Sequence, residues 1–300
     1  MAANTRDIRR RIKSVKNTSQ ITKAMQMVAA SKMRRAQAAA LAGRPYANLL
    51  NRVLTSLQPG GGVDTSHPLL AERKGGKELV ILFATDKGLC GALNTNIQRE
   101  AMKFDPEQTI FVVIGRKGMQ FLGRAKRQLV AEFTLKDNFV FMESHAISKF
   151  AIEKFLSGEV NRVTVLFTDY VNTLTQVPRV RPLLPISSLE ATIAHDPHPE
   201  KASAAPATNG AGEAALDYTF EPTPEAVLDA ILPHFVHFQV FQMALDSRAS
   251  EHSARMVAMK NATDNAKQLI KDLTLEYNKI RQASITTEIL EIATAQMVLG

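Results

Sequence analysis

HFVHFQVFQMALDSRASEHSARMVAMKNATDNAKQLIKDLTLEYNKIRQASITTEILEIATAQMVL, His234 to Leu299, contains neither glycine nor proline. The opening, Met1 to Ala42, lacks them too, and all 13 prolines and every glycine but Gly300 lie between. Glycine and proline punctuate ordinary globular chains, whose helices average about 11–12 residues. Two breaker-free ends around an ordinary middle predict two long helices, reaching about 60 Å and about 100 Å at the helical rise. Read in alternating steps of four and three, the C-terminal stretch gives Leu245, Ala249, His252, Met256, Met259, Thr263, Ala266, Ile270, Leu273, Tyr277, Ile280 and Ser284. Most of these are apolar, the pattern of a coiled-coil seam.

Near the end the stripe shifts by one, to Ile285, Ile289 and Ile292, and beyond Thr286 only Glu288 and Glu291 are charged. A helix tip apolar nearly all round calls for burial in another protein. The N-terminal helix offers Ile8, Ile12 and Val15, then Ile21, Met25 and Val28, then Met33, with alanines between. Small residues and methionine permit close approach of a neighbouring helix. The expected arrangement is an antiparallel pair whose longer, C-terminal member overhangs. Met25 and Met27 are read as packing, not as a cofactor stripe.

Charge is concentrated at one end. Residues 1–44 hold eleven Lys and Arg against one acid, Asp7, and so account for more than the net charge of +8. Such a helix suits nucleic acid, a membrane surface or an acidic protein face. The first aromatic residue is Tyr46, so base stacking on single strands is disfavoured. No apolar run reaches the length of a membrane span, and the charged N-terminus argues against a secretory signal. The single cysteine, Cys90, excludes an internal disulfide and fits a reducing compartment.

The middle alternates short apolar runs with helical stretches. Glu78–Ala84, Thr109–Gly115 and Arg162–Asp169 read as buried strands, with helices around Leu93–Phe104, Arg116–Arg124 and Ser144–Ser157. That order predicts an α/β, Rossmann-like domain with a parallel sheet, to which Val177–Leu184 adds an edge strand. The expected division is 1–60 as the N-terminal long helix, 77–190 as the α/β domain, 191–216 as an Ala/Pro-rich flexible excursion, and 217–300 as the C-terminal long helix. The fold class is therefore α/β, a long antiparallel coiled coil plus a Rossmann-like parallel-sheet domain.

No active site is legible. The turn Thr85-Asp86-Lys87-Gly88-Leu89-Cys90-Gly91 lacks the dinucleotide and P-loop patterns, and Gly75-Gly76-Lys77 runs into Glu78. It is read as a structural turn needing glycine for geometry. His234 and His237 share a helix face without a third ligand, and His195 and His198 lie in the excursion. No cofactor and no metal site are expected.

Four stretches carry a resemblance. RDIRRRIKSVKNTSQITKAMQMVAASKMRRAQ, from Arg6, resembles the N-terminal helix of the gamma subunits of rotary ATP synthases. TDKGLCGALNTNI (Thr85–Ile97) resembles that family's first strand–turn–helix, and YVNTLTQVPRVRPLLP (Tyr170–Pro185) a later stretch. SEHSARMVAMKNATDNAKQLIKDLTLEYNKIRQASITTEILEI (Ser250–Ile292) resembles its C-terminal helix. The matches follow the family's order along the whole chain, with the 191–216 excursion as the one departure.

The resemblance implies a rotor shaft inside a ring of alpha and beta subunits, with a foot on the c-subunit ring and the epsilon subunit as a further partner. Nucleotide chemistry would belong to the beta subunits, making this chain a non-catalytic subunit of a proton-translocating ATP synthase complex. By motif match, Arg281, Gln282 and Thr286 fall where the family contacts a beta-subunit loop. Met25 and the basic residues Lys23, Lys32, Arg34 and Arg35 fall where it faces acidic beta-subunit loops. Ile285, Ile289 and Ile292 would form the bearing tip, and Phe220, Glu221 and Pro222 the c-ring contact. The implied location is the cytoplasmic face of a bacterial plasma membrane, peripheral, with membrane contact only through the complex and no nucleic-acid partner. A coiled-coil tether and a nucleotide-binding α/β protein are the alternatives, separated by co-purification with catalytic subunits.

Overall fold

The structure, a computed structural model, describes residues 5–56, 67–73, 75–136, 139–186, 221 and 223–299. The 191–216 stretch lies outside them. Two compact units emerge, one built from residues 30–255 and the other from 1–29 with 256–300.

In the larger unit a five-stranded sheet has the order β3-β2-β1-β4-β5. Its strands are β1 (Lys77–Phe83), β2 (Thr109–Ile114), β3 (Leu129–Phe133), β4 (Val160–Tyr170) and β5 (Gln176–Leu184). β1 pairs parallel with β2 and β4, and β2 parallel with β3. β5 runs antiparallel to β4, as the short connection requires. Unbroken apolar runs make the central strands, because a parallel sheet is covered on both faces. Alternation sorts the side chains: Leu79, Ile81, Ile110, Val112, Val163 and Val165 meet α5 (Phe141–Leu156) on one face. Val80, Leu82, Phe111, Val113 and Leu166 meet α3 (Leu93–Ala101) and α4 (Arg116–Arg124) on the other.

The N-terminal helix α1 (Thr5–Ala42) ends at a turn on Gly43, and α2 (Arg44–Ser56) follows. The single helix expected over 1–60 is thus two. A side chain at 43 would press on the Gln242 amide, so glycine allows the turn to sit against its neighbour. The last helix, α6 (Pro224–Leu299), is 76 residues long and begins well upstream of the breaker-free stretch. Thr223 caps it, its hydroxyl accepting from the Ala226 N–H, and Pro224 occupies the first helical position, where a missing N–H costs nothing. Pro233 lies inside the helix. Its lost hydrogen bond is offset by packing, since Leu232, Phe235 and Val236 on either side are buried in the sheet's core.

In the smaller unit, the α1 segment pairs with the α6 segment. Thr22 Oγ1 is 2.7 Å from Thr263 Oγ1, and Arg9 hydrogen-bonds Tyr277 with its guanidinium 5.3 Å above the ring. As one number rises the other falls, so the pair is antiparallel. The α6 seam is the one the spacing predicts, with Met259, Thr263 and Ala266 buried. The α1 seam differs. It runs Ile8, Ile12, Val15, Ser19, Thr22, Gln26 and Ala29 in strict four–three steps, all buried or half-buried. Ile21 and Val28, expected in it, are 60% and 55% exposed. With polar residues in the seam, and Thr22 paired to Thr263 through its hydroxyl, the apolar stripe is left for another surface.

Candidate interaction surfaces

The pairing register sets where α6 runs past the described part of α1. With Thr22 opposite Thr263 and Arg9 opposite Tyr277, Thr5 falls near Ile280. From Arg281 to Gln296 every side chain is exposed. Within this overhang Arg281, Ile285, Ile289 and Ile292 follow one another at four, four and three residues, hence along one stripe. Gln282 and Thr286 lie beside it, and the Thr286 hydroxyl donates to the Gln282 carbonyl at 2.9 Å. Ile289 and Ile292 are 60% and 64% exposed, a large apolar area for a helix with no local core.

On α1, Lys23 is exposed and Met25 half-buried in the smaller unit; Lys32 is half-buried and Arg34 and Arg35 exposed in the larger. Lys23 and Met25 are two residues apart and so project from opposite sides of the helix. Ile21, Met25 and Val28 share a stripe instead. The resemblance puts Met25 at a beta-subunit contact, but Ile21 and Val28, being apolar, read as seam positions. The strict heptad through Ser19, Thr22 and Gln26 was the available signal. Glu221 is exposed. Phe220 and Pro222 lie outside the described residues.

The turn Thr85–Gly91 is held by its surroundings. The Thr85 hydroxyl donates to the Lys87 carbonyl at 2.7 Å, and the Asn94 amide donates to Thr85 Oγ1 at 2.8 Å and to Cys90 Sγ at 3.3 Å. Asp86 accepts from the Arg116 N–H at 3.2 Å, placing a carboxylate at the start of α4. Arg255 donates to the Lys87 and Gly88 carbonyls. These groups are engaged internally, and the turn serves to dock α6. Cys90 is buried; burial pushes its thiol up against the lowering pull of Arg255, so it stays protonated.

Among the described residues no cluster of three or more metal-ligating side chains occurs. His237 is buried at the base of α6, its Nδ1 2.6 Å from the Ser148 hydroxyl and its ring 3.9 Å from that of His145. Burial first, then the neighbouring His145 and His234, lowers its pKa from 6.5 to about 4. The unfolded chain therefore takes up a proton here before the folded one does. Stability should fall as pH drops from about 6.5 to about 4, with the full cost present below 4 and none above 6.5. Denaturant unfolding across this range checks it, and His237→Gln should flatten the slope. An unchanged slope would contradict the buried neutral imidazole.

Among the described residues no helix is long and apolar enough to cross a membrane. The sequence model of a family described as ATP synthase matches residues 4–299. The chain is 49% identical over 303 residues to the ATP synthase gamma chain of Methylacidiphilum infernorum, covering 99% of this chain and 100% of that one. It is 48% identical over 295 residues to the gamma chain of Opitutus terrae, covering 98% of each. Among solved structures, a chain from the central stalk/c-ring structure of the Tetrahymena thermophila mitochondrial ATP synthase superposes with a TM-score of 0.59 at 25% identity, over 81% of this chain and 99% of that one. A chain of the Euglena gracilis mitochondrial enzyme shares the fold at a TM-score of 0.66 and 18% identity, over 98% and 94% of the two chains.

Proposed function

The chain belongs to the ATP synthase gamma-chain family, and from that premise we propose how it works as the central-stalk rotor. The α1–α6 pair is the shaft within the ring of alpha and beta subunits. The sheet unit, with the epsilon subunit, stands on the c-ring as the foot, with Phe220, Glu221 and Pro222 at that contact. Nucleotide chemistry resides in the beta subunits, so the chain is non-catalytic. It lies peripherally at the cytoplasmic face of a bacterial plasma membrane and meets the membrane only through the complex. Of the expected divisions, 1–60 and 217–300 serve the shaft where they pair, in residues 1–29 and 256–300, and 77–190 serves the foot.

The observation that carries this reading is the overhang: a helix end of exposed Ile285, Ile289 and Ile292, next to Arg281, Gln282 and Thr286. An apolar tip in an apolar sleeve is a smooth bearing, since nondirectional contact does not favour one angle over its equivalents. The Ile21–Met25–Val28 stripe supports a second contact with beta, and Lys23 lies on the other side of the helix. Lys32, Arg34 and Arg35 add positive charge further along α1, which suits acidic loops.

Arg281→Ala with Gln282→Ala, in a reconstituted complex, is expected to lower hydrolysis and rotation together by about tenfold, as loss of one or two central contacts would. Hydrolysis persisting at the parent rate while the bound shaft never turns would refute contact-driven coupling.

A further inference from the structure

Between Arg248 and Ser253, α6 is buried on all sides but is not apolar. Arg248 and Glu251 are 8% and 6% exposed, and Arg248 Nη1 donates to Glu251 at 2.8 Å. Glu251 also accepts from Arg255 at 2.8 Å, and Asp86 lies 3.6 Å from Arg248. Arg248 Nη2 donates to the Leu135 carbonyl at 2.5 Å, in the segment between β3 and α5. Arg255 reaches the Lys87 and Gly88 carbonyls in the turn after β1.

Two serines answer from the other side. Ser250 Oγ donates to the Thr168 carbonyl at 3.0 Å, near the end of β4, and Ser253 Oγ to the Thr173 carbonyl at 2.8 Å, between β4 and β5. With 3.6 residues per turn, Glu251 and Arg255 lie within about 60° of Arg248, while Ser250 and Ser253 are about 140–200° away. Four separate segments of the sheet unit therefore grip little more than two turns of helix from opposing sides.

We propose that Arg248–Arg255 is a rotational lock, a collar that fixes α6 about its own axis against the sheet unit so that twist passes between them without slip. The proposal rests on the rotor reading. Apolar packing is nondirectional and resists rotation only through the fit of its side chains. Hydrogen bonds to fixed carbonyls specify an angle, and ions this buried are held to their partners because separating them strands a charge. Glu251 is the hub, since it bridges both arginines. These are positioning residues; none touches substrate.

The test is the torsional stiffness of the whole complex. The alpha–beta ring is fixed to a surface, a bead is attached to the sheet unit through Gln120→Cys in a Cys90→Ser background, and the rotor is stalled by inhibitor. In Glu251→Gln with Ser253→Ala the angular variance of the bead should rise at least twofold while hydrolysis stays within twofold of the parent. Ser253→Ala alone carries the same expectation at smaller size should the double variant fail to fold. An angular variance equal to the parent's overturns the lock. A parent rotor that never turns with ATP overturns the rotor reading itself, which a variance change in the variants cannot mimic.

Discussion

Ala266→Pro is expected to cost the helix pair about 3 kcal/mol or more and to abolish coupled ATP synthesis. Position 266 is buried in the seam, mid-helix, where proline removes a backbone hydrogen bond and its ring clashes with the preceding turn. Pro233 shows the contrast within the same helix: there, buried neighbours in a large core hold the backbone in place. Residue 266 has one partner helix to hold it. Denaturant unfolding of the chain and synthesis by the reconstituted complex both read the effect. Stability within about 0.5 kcal/mol of the parent would mean that α6 is not a continuous helix at this point.

The second large effect is in the sheet unit. Gly115→Ala is expected to destabilise it by about 3 kcal/mol or more. Gly115 closes β2 with φ of 97° and ψ of 135°, a region that side chains do not tolerate. An added Cβ would lie 2.3 Å from the Ala84 carbonyl oxygen, and the clash is with backbone, which cannot step aside. The ends of β1 and β2 are joined there, Ala84 N donating to Ile114 O at 2.8 Å and Lys117 N to Thr85 O at 3.0 Å. Gly123→Ala is the control. Nothing lies within 4 Å of a Cβ at that helical position, and alanine there should stabilise by about 0.5–1 kcal/mol. Equal stabilities for the two variants would contradict the strand-to-helix geometry.

The fold was legible where one signal dominated. The α6 seam from Met256 to Ile280 followed from spacing because its residues are apolar or small and meet one partner. β1 and β2 followed from unbroken apolar runs, since both faces are covered. β3 did not. Leu129–Phe133 is short, at the sheet edge and largely exposed, so its alternation is diluted. The start of α6, expected at 217, lies at Pro224, where Thr223 caps the helix. The α1 seam was misassigned because it runs through the polar residues Ser19, Thr22 and Gln26, of which Thr22 pairs with Thr263 through its hydroxyl.

The interaction surfaces divide in the same way. The apolar tip was visible because nothing local can bury it. The collar was not, since Arg248, Glu251 and Arg255 look like an ordinary solvated face until the carbonyls of Leu135, Lys87 and Gly88 come to meet them. Those partners sit more than a hundred residues away, and spacing on one helix carries no trace of them.

A rotor shaft requires the two long helices to turn as one body. Thr22→Cys with Thr263→Cys, in a Cys90→Ser background, places two thiols where hydroxyls now stand 2.7 Å apart. Full oxidation of this pair in the assembled complex should leave ATP hydrolysis and rotation at more than about half the reduced rate, because a bond within a rigid shaft constrains nothing that moves. Turnover that stops on oxidation and returns on reduction would show that the helices must move past one another, and the shaft would not be one body.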